Sequence, residues 1–158
     1  MRKIVLPVVT GIIGAAAGAA TVGMKMNEIV EKKEMNSEKF RIMYRLMEHW
    51  MRIKQRGETL EKYFNAYGYK RIAIYGMAEI GRLLLDELKN TDIEIVYGID
   101  KNPNATDRID IIAPEDDLPE VDVIVVTAIA YFDEIEELLS KNSSIPVISM
   151  ESVVYEVF

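Results

Sequence analysis

Between Lys70 and Phe158 the apolar positions alternate between short continuous runs and helical spacing. Arg71 to Tyr75 is an apolar β-type run, followed by a helix over Ile80 to Leu88 with Leu83, Leu84 and Leu88 as its buried face. Ile93 to Ile99 and the short Ile109 to Ile112 read as the next two strands. After an acidic, proline-bounded loop from Ala113 to Glu120, Val121 to Ala128 is nearly all apolar, as a central parallel strand covered on both faces should be. Asp133 and Glu136 have the spacing of a capping box for a helix ending near Lys141. Ile145 to Ser149 supplies a fifth strand, and Glu151 to Phe158 a last short helix. Right-handed crossovers between parallel strands then give the order 3-2-1-4-5, with a crevice between strands 1 and 4 at their carboxyl ends.

The preceding region has helical periodicity. Ser37 can cap a helix running to Arg56, where Gly57 ends it. Projected at 100° per residue, Phe40, Ile42, Met43, Tyr44, Leu46, Met47, Trp50, Met51 and Ile53 fill one broad arc interrupted by Lys54. Arg41, Arg45, Arg52 and Arg56 cluster opposite, with His49 on the border. Such a helix either lies on a membrane surface, over residues 38–56, or packs on the neighbouring domain with its arginines solvated. A second short helix over Thr59 to Tyr67 presents Leu60, Tyr63, Phe64 and Tyr67, and Gly68 stops it.

From Ile4 to Met24 there is no charged residue, and 21 helical residues span about 31 Å, the thickness of a bilayer's hydrocarbon core. This predicts a single membrane-spanning anchor over residues 1–24, joined through a charged linker (25–36) to a helical region (37–69) and the α/β domain (70–158). Gly11, Ala15, Ala19 and Gly23 recur every four residues, a row that lets two such helices approach closely and form a homodimer. Arg2, Lys3, the apolar run and Ala17-Gly18-Ala19 also fit a cleaved secretory signal, the alternative localisation. A disordered tail is a third reading. A second glycine-rich nucleotide turn at Thr10 to Gly18 lacks the strand and acidic residue that should follow it. Lys25, Lys32, Lys33, Lys39 and Arg41 on one side of the apolar run, against Arg2, Lys3 and the amine on the other, favour a cytoplasmic C-terminal domain.

Charge changes the picture of possible partners. Residues 1–69 hold 12 Lys/Arg against 7 Asp/Glu, a net of +5, and residues 70–158 hold 7 against 19, a net of −12. An acidic domain of this kind repels nucleic-acid phosphates, so no nucleic-acid partner is expected. The absence of cysteine removes disulfides and thiolate chemistry, and the single histidine makes a histidine metal site implausible.

The chemistry is concentrated where the first strand enters Gly76-Met77-Ala78-Glu79-Ile80-Gly81. A second strand follows the helix and ends in Asp100, 19 residues beyond Gly81, with Lys101 next. Strand, glycine turn, helix, strand and terminal acid match the dinucleotide fingerprint in order and spacing. Gly76 permits the turn, the middle position lets a pyrophosphate approach, and Gly81 lets helix and strand pack closely. Asp100 could accept from ribose hydroxyls, favouring NAD over NADP, or simply begin the Asp100-Lys101-Asn102-Pro103 turn. Ala78 stands where the second glycine belongs, and Glu79 puts a negative charge beside the phosphate path. Thr127 could bond a phosphate or ribose, or terminate its strand, and Tyr131 approaches the same crevice. An unliganded turn of this fold would present the same residues.

No catalytic set accompanies the turn. Tyr97 and Lys101 have the spacing of a helical Tyr/Lys pair but lie on a strand, where four residues span about 13 Å. With the sequence ending shortly after the fifth strand no substrate domain is expected, and no nucleophile–base pair is identifiable. Tyr69 to Gly81, with Val96-Tyr97-Gly98-Ile99-Asp100-Lys101-Asn102, resembles a Rossmann-like domain of bacterial surface-glycan enzymes. It is similar to the nucleotide- or CoA-binding-like N-terminal domain of membrane-bound nucleotide-sugar dehydratases and epimerases, and to the C-terminal domain of sugar C-methyltransferases. The resemblance covers roughly residues 57 to 155. It implies a nucleotide, nucleotide-sugar or dinucleotide ligand and a setting in envelope polysaccharide synthesis. The sequence therefore leads to a membrane-tethered, non-catalytic binding module. The alternatives are an NAD-dependent oxidoreductase or epimerase completed by a partner, and an empty Rossmann shell used for protein interaction.

Overall fold

Five parallel strands form one sheet in the order β3-β2-β1-β4-β5, the expected arrangement. The structure, a computed structural model, describes residue 33 and residues 35–106 and 108–158. The anchor expected over residues 4–24, its glycine and alanine row and the signal-peptide reading lie outside the described residues. Among the described residues no helix is long and apolar enough to cross a membrane.

The chain divides into residues 1–41 and 42–158. Helix α1 (residues 35–55) is followed by α2 (Glu61–Tyr67), β1 (Arg71–Tyr75), α3 (Glu79–Leu88), β2 (Glu94–Ile99), β3 (Ile111–Ile112) and β4 (Val123–Val126). A 3-10 turn (Ile129–Tyr131) leads into α4 (Phe132–Asn142), and β5 (Val147–Ser149) and α5 (Met150–Val157) complete the order. This is a Rossmann-like α/β fold. Among the described residues no helix lies between β2 and β3.

The sheet is buried on both sides because its central strands carry apolar residues on both faces, throughout β4 and after Arg71 in β1. On one face Ile72, Ile74, Val123 and Val125 join Ile80, Leu84 and Leu88 of α3 and Met150, Val153 and Val154 of α5. Leu46, Trp50 and Ile53 of α1 and Tyr63 and Phe64 of α2 belong to the same cluster. Each fully buried side chain of this size contributes roughly 1.5–3 kcal/mol, so residues 42–67 are part of the domain's core. On the other face Ala73, Tyr75, Ile124 and Val126 meet Ile135 and Leu139 of α4, with Tyr97 and Ile99 beside them.

Four local expectations are corrected. Ser37 does not cap α1, because residues 35 and 36 are already helical and place it inside the helix. Asp133 and Glu136 form no capping box: the 3-10 turn feeds straight into α4, Tyr131 occupies the N-cap, and Asp133 lies within the first turn. Leu83 is 41% exposed, and Ile80 takes its place on the buried face of α3. The broad apolar arc of α1 is split. Leu46, Trp50 and Ile53 are buried, whereas Phe40, Met43, Tyr44 and Met51 are exposed.

Asp122 fastens the start of β1 to the start of β4. One of its carboxylate oxygens accepts from the backbone N–H groups of Lys70 at 2.6 Å and Arg71 at 2.7 Å. The Arg71 and then the Lys70 N–H hold the carboxyl below its ordinary value. A carboxyl lowered by folding stabilises the fold above its unfolded-state pKa, about 4, and that contribution is lost as pH falls through the lower folded-state value. Asp122→Asn is therefore expected to lower the urea midpoint at neutral pH. The gap from the parent should narrow at about pH 3. A gap that stays constant across that range would show that the charge of Asp122 is not what docks the strands.

Candidate functional site at the first strand-to-helix turn

The turn between β1 and α3 is formed by close backbone approach. Gly76 has φ of 89°, a left-handed conformation that L side chains rarely adopt, and a Cβ there would lie 2.9 Å from Thr127 Oγ1. At Gly81 a Cβ would lie 2.2 Å from the carbonyl oxygen of Gly76, so only glycine lets α3 start this near the strand. Met77 turns inward and is fully buried. Its side chain crosses Gly98 of β2, where a Cβ would meet Met77 Cγ at 2.8 Å and Ile111 Cδ1 at 2.7 Å. Gly98 was not singled out from the sequence, although a glycine within an apolar strand is a signal of close approach.

Hydrogen bonds from neighbouring strands fix this backbone. The Gly76 N–H donates to Ile99 O at 2.8 Å. The Met77 N–H donates to Asp100 Oδ2 at 2.8 Å, and the Asn102 N–H donates to Asp100 Oδ1 at 2.9 Å. Asp100 is thus the turn residue at the end of β2 and also the acceptor that holds the glycine turn. Each oxygen retains lone-pair capacity for a further donor. The Thr127 hydroxyl is directed at the carbonyls of Gly76 (2.6 Å) and Tyr75 (3.1 Å), tying the end of β4 to the turn.

Ala78 and Glu79 face outward. Ala78 occupies the N-cap of α3 with φ of −72°, so its methyl group costs no backbone strain where a glycine was expected. An alanine side chain accepts no hydrogen bond, so no N-cap side chain closes this helix end. The Glu79 carboxylate is 82% exposed and turns along the helix toward Arg82, 3.7 Å away, rather than into the phosphate path. Ile80 is buried beneath it.

Two cavities flank the turn. One, about 730 Å³, lies along the outer side of α3 and the β2–β3 loop and contains Arg82 and Arg108. Both arginines are paired, Arg82 with Glu79 and Arg108 with Asp86. The other, about 510 Å³, lies at the carboxyl ends of the central strands, lined by Tyr75, Lys101, Ala128, Tyr131, Glu134, Ile135 and Leu138. This is the crevice anticipated between β1 and β4. Lys101 is exposed there and has no ion-pair partner among the described residues. Burial, and then the Asp100 and Glu115 carboxylates, raise the Tyr75 phenol above its ordinary value, so it stays protonated at neutral pH. Tyr75 was missed in the sequence, where it reads only as the last apolar residue of its strand. Gly76, Met77 and Ala78 line neither cavity.

Tyr97 and Lys101 do not form a pair. The Tyr97 phenol is buried and donates to Pro119 O at 2.7 Å, tying down the loop after β3. Among the described residues no group of acidic or histidine side chains is arranged to hold a metal.

Fold and turn together define a Rossmann-like α/β domain with a glycine turn at its topological switch point. Compared with protein-family models, curated proteins and solved structures, the chain matches none.

Proposed function

We propose that this chain is a membrane-tethered, non-catalytic module that binds a nucleotide, nucleotide sugar or dinucleotide and serves enzymes of envelope polysaccharide synthesis. The observation that carries the reading is the crevice at the carboxyl ends of β1 and β4. There Lys101, without an ion-pair partner among the described residues, and the protonated Tyr75 border a cavity of about 510 Å³. The Lys101 ammonium beside the crevice favours a negatively charged group there, offset in part by the Glu134 carboxylate on the same lining. Asp100 would receive ribose hydroxyls at the end of β2. Residues 4–24 would hold the domain at the membrane, and the polysaccharide setting rests on the resemblance of Tyr69 to Gly81.

Calorimetry on the full chain in detergent with NAD, NADP, UDP-sugars and CoA tests the reading. At least one is expected to bind at millimolar concentration or below, and Lys101→Ala to weaken it about tenfold, the scale of one charge-assisted hydrogen bond. If none binds, the domain is an empty shell. Binding that is indifferent to Lys101→Ala would move the ligand away from the crevice.

A further inference from the structure

Helix α1 carries an apolar strip that its packing leaves unused. Leu46, Trp50 and Ile53 already fill its inward face, yet Met43 (39%), Tyr44 (70%) and Met51 (55%) are exposed, with Met47 half-buried between them. At 100° per residue these four fall within one arc of about 100°, clear of the buried side chains. Met47 and Met51 continue toward exposed Leu83 of α3 across an apolar groove of about 280 Å³.

The charges bordering the strip indicate what covers it. Residues 42–56 contain Arg45, Arg52, Lys54 and Arg56 against Glu48 alone, a net of +3. On the groove side the charges cancel, Lys54 pairing with Glu87 and Arg108 with Asp86. On the opposite side Arg52 pairs with Glu48, and the Arg45 guanidinium has no ion-pair partner among the described residues. The strip is therefore bordered on one side by the unpaired Arg45 beside the Glu48–Arg52 pair and on the other by neutral pairs, while residues 70–158 carry a net of −12. Anionic lipid matches this surface and repels the rest of the domain. The uncharged run from Ile4 to Met24 ends 18 residues before Ile42, so if that run anchors the chain as proposed above, contact between α1 and the same bilayer would be an intramolecular event.

We propose that Met43, Tyr44, Met47 and Met51 enter the interfacial layer of an anionic bilayer, with Arg45 and Arg52 on its headgroups, as a second attachment that fixes which side of the domain faces the membrane. This takes the anchor of the proposed function as given and adds a surface that does not depend on the ligand. Weak apolar insertion combined with basic side chains is the pairing that makes peripheral attachment stable.

The absence of native cysteine allows single labels. The full chain carrying an environment-sensitive fluorophore at Tyr44→Cys, Met51→Cys or, as control, Ser140→Cys on α4 would be reconstituted into phosphatidylcholine vesicles with or without phosphatidylserine. Quenchers attached to the lipid chains are expected to reach the labels at 44 and 51 only when phosphatidylserine is present, and not to reach 140. Arg45→Glu with Arg52→Glu should lower that quenching about fivefold or more, each basic residue near such a surface being worth about that factor. Labels that remain in water while the protein floats with the vesicles overturn the surface and leave the anchor standing. Failure to float overturns both. Labels at 44 and 51 that quench one another in detergent without lipid place a second copy on the strip and overturn the assignment.

Discussion

Gly81→Ala is expected to destabilise the domain by about 3 kcal/mol or more, at the upper end of overpacking costs. The added methyl carbon would sit 2.2 Å from the Gly76 carbonyl oxygen and 3.1 Å from its carbon. Both are backbone atoms of a turn held by the Gly76 and Met77 N–H bonds, so no rotamer change relieves the contact. Helix α3 has to move away from the turn, which draws Ile80, Leu84 and Leu88 out of the core. Alanine's helix propensity, about 1 kcal/mol better than glycine's, acts in the opposite direction and is too small to compensate. Thermal unfolding followed by circular dichroism should show the midpoint falling by roughly 10 °C, given about 2–4 °C per kcal/mol at this size. Gly98→Ala provides the internal comparison. Its methyl group would meet Ile111 Cδ1 and Met77 Cγ, atoms of side chains that can turn aside, so a smaller loss is expected. Equal midpoints for Gly81→Ala and the parent would refute the close approach of helix and turn.

The same contrast shows which features were legible in the sequence. Gly76 and Gly81 were readable because the motif that contains them is local, a run of six residues between a strand and a helix. The strand order was readable because each strand is a distinct apolar run and chirality leaves few ways to connect them. Gly98 was not, since its reason is Met77, 21 residues away, lying across it. The inward turn of Thr127 and the bond from the Met77 N–H to Asp100 likewise arise only when three strands are adjacent. Helix periodicity placed the apolar arc of α1 correctly but could not divide it, because burial depends on where α3 and α5 stand. Leu83 failed for the same reason: it is one position off the side of α3 that meets the sheet. Capping motifs failed where the preceding residues were themselves helical, at Ser37 and Asp133, since a cap is defined by a change of backbone that composition alone does not announce.

Asp100→Ala is expected to cost about 3 kcal/mol of stability and, independently, to weaken NAD. The stability loss comes from two backbone donors, the Met77 N–H at 2.8 Å and the Asn102 N–H at 2.9 Å, that lose a charged acceptor. Hydrogen bonds to charged groups contribute about 1.5–3 kcal/mol each. Water can replace the exposed Asn102 contact, so the part-buried Met77 N–H accounts for most of the loss. Asp100→Asn keeps one amide oxygen for that N–H and should lose about half as much. A bound adenosine would add ribose hydroxyls to the same carboxylate, whereas a 2′-phosphate would meet its negative charge with only the exposed Lys101 to offset it. NAD is therefore expected to bind more tightly than NADP, and both variants to weaken NAD by roughly 1–3 kcal/mol. Stability by urea unfolding and affinity by calorimetry, measured where every variant is folded, separate the two roles. Ligand contact predicts that Asp100→Asn loses NAD affinity nearly as fully as Asp100→Ala, because both remove the charge, while their stabilities differ. A variant pair whose stability falls in that order but whose NAD affinity matches the parent would leave Asp100 with the turn alone.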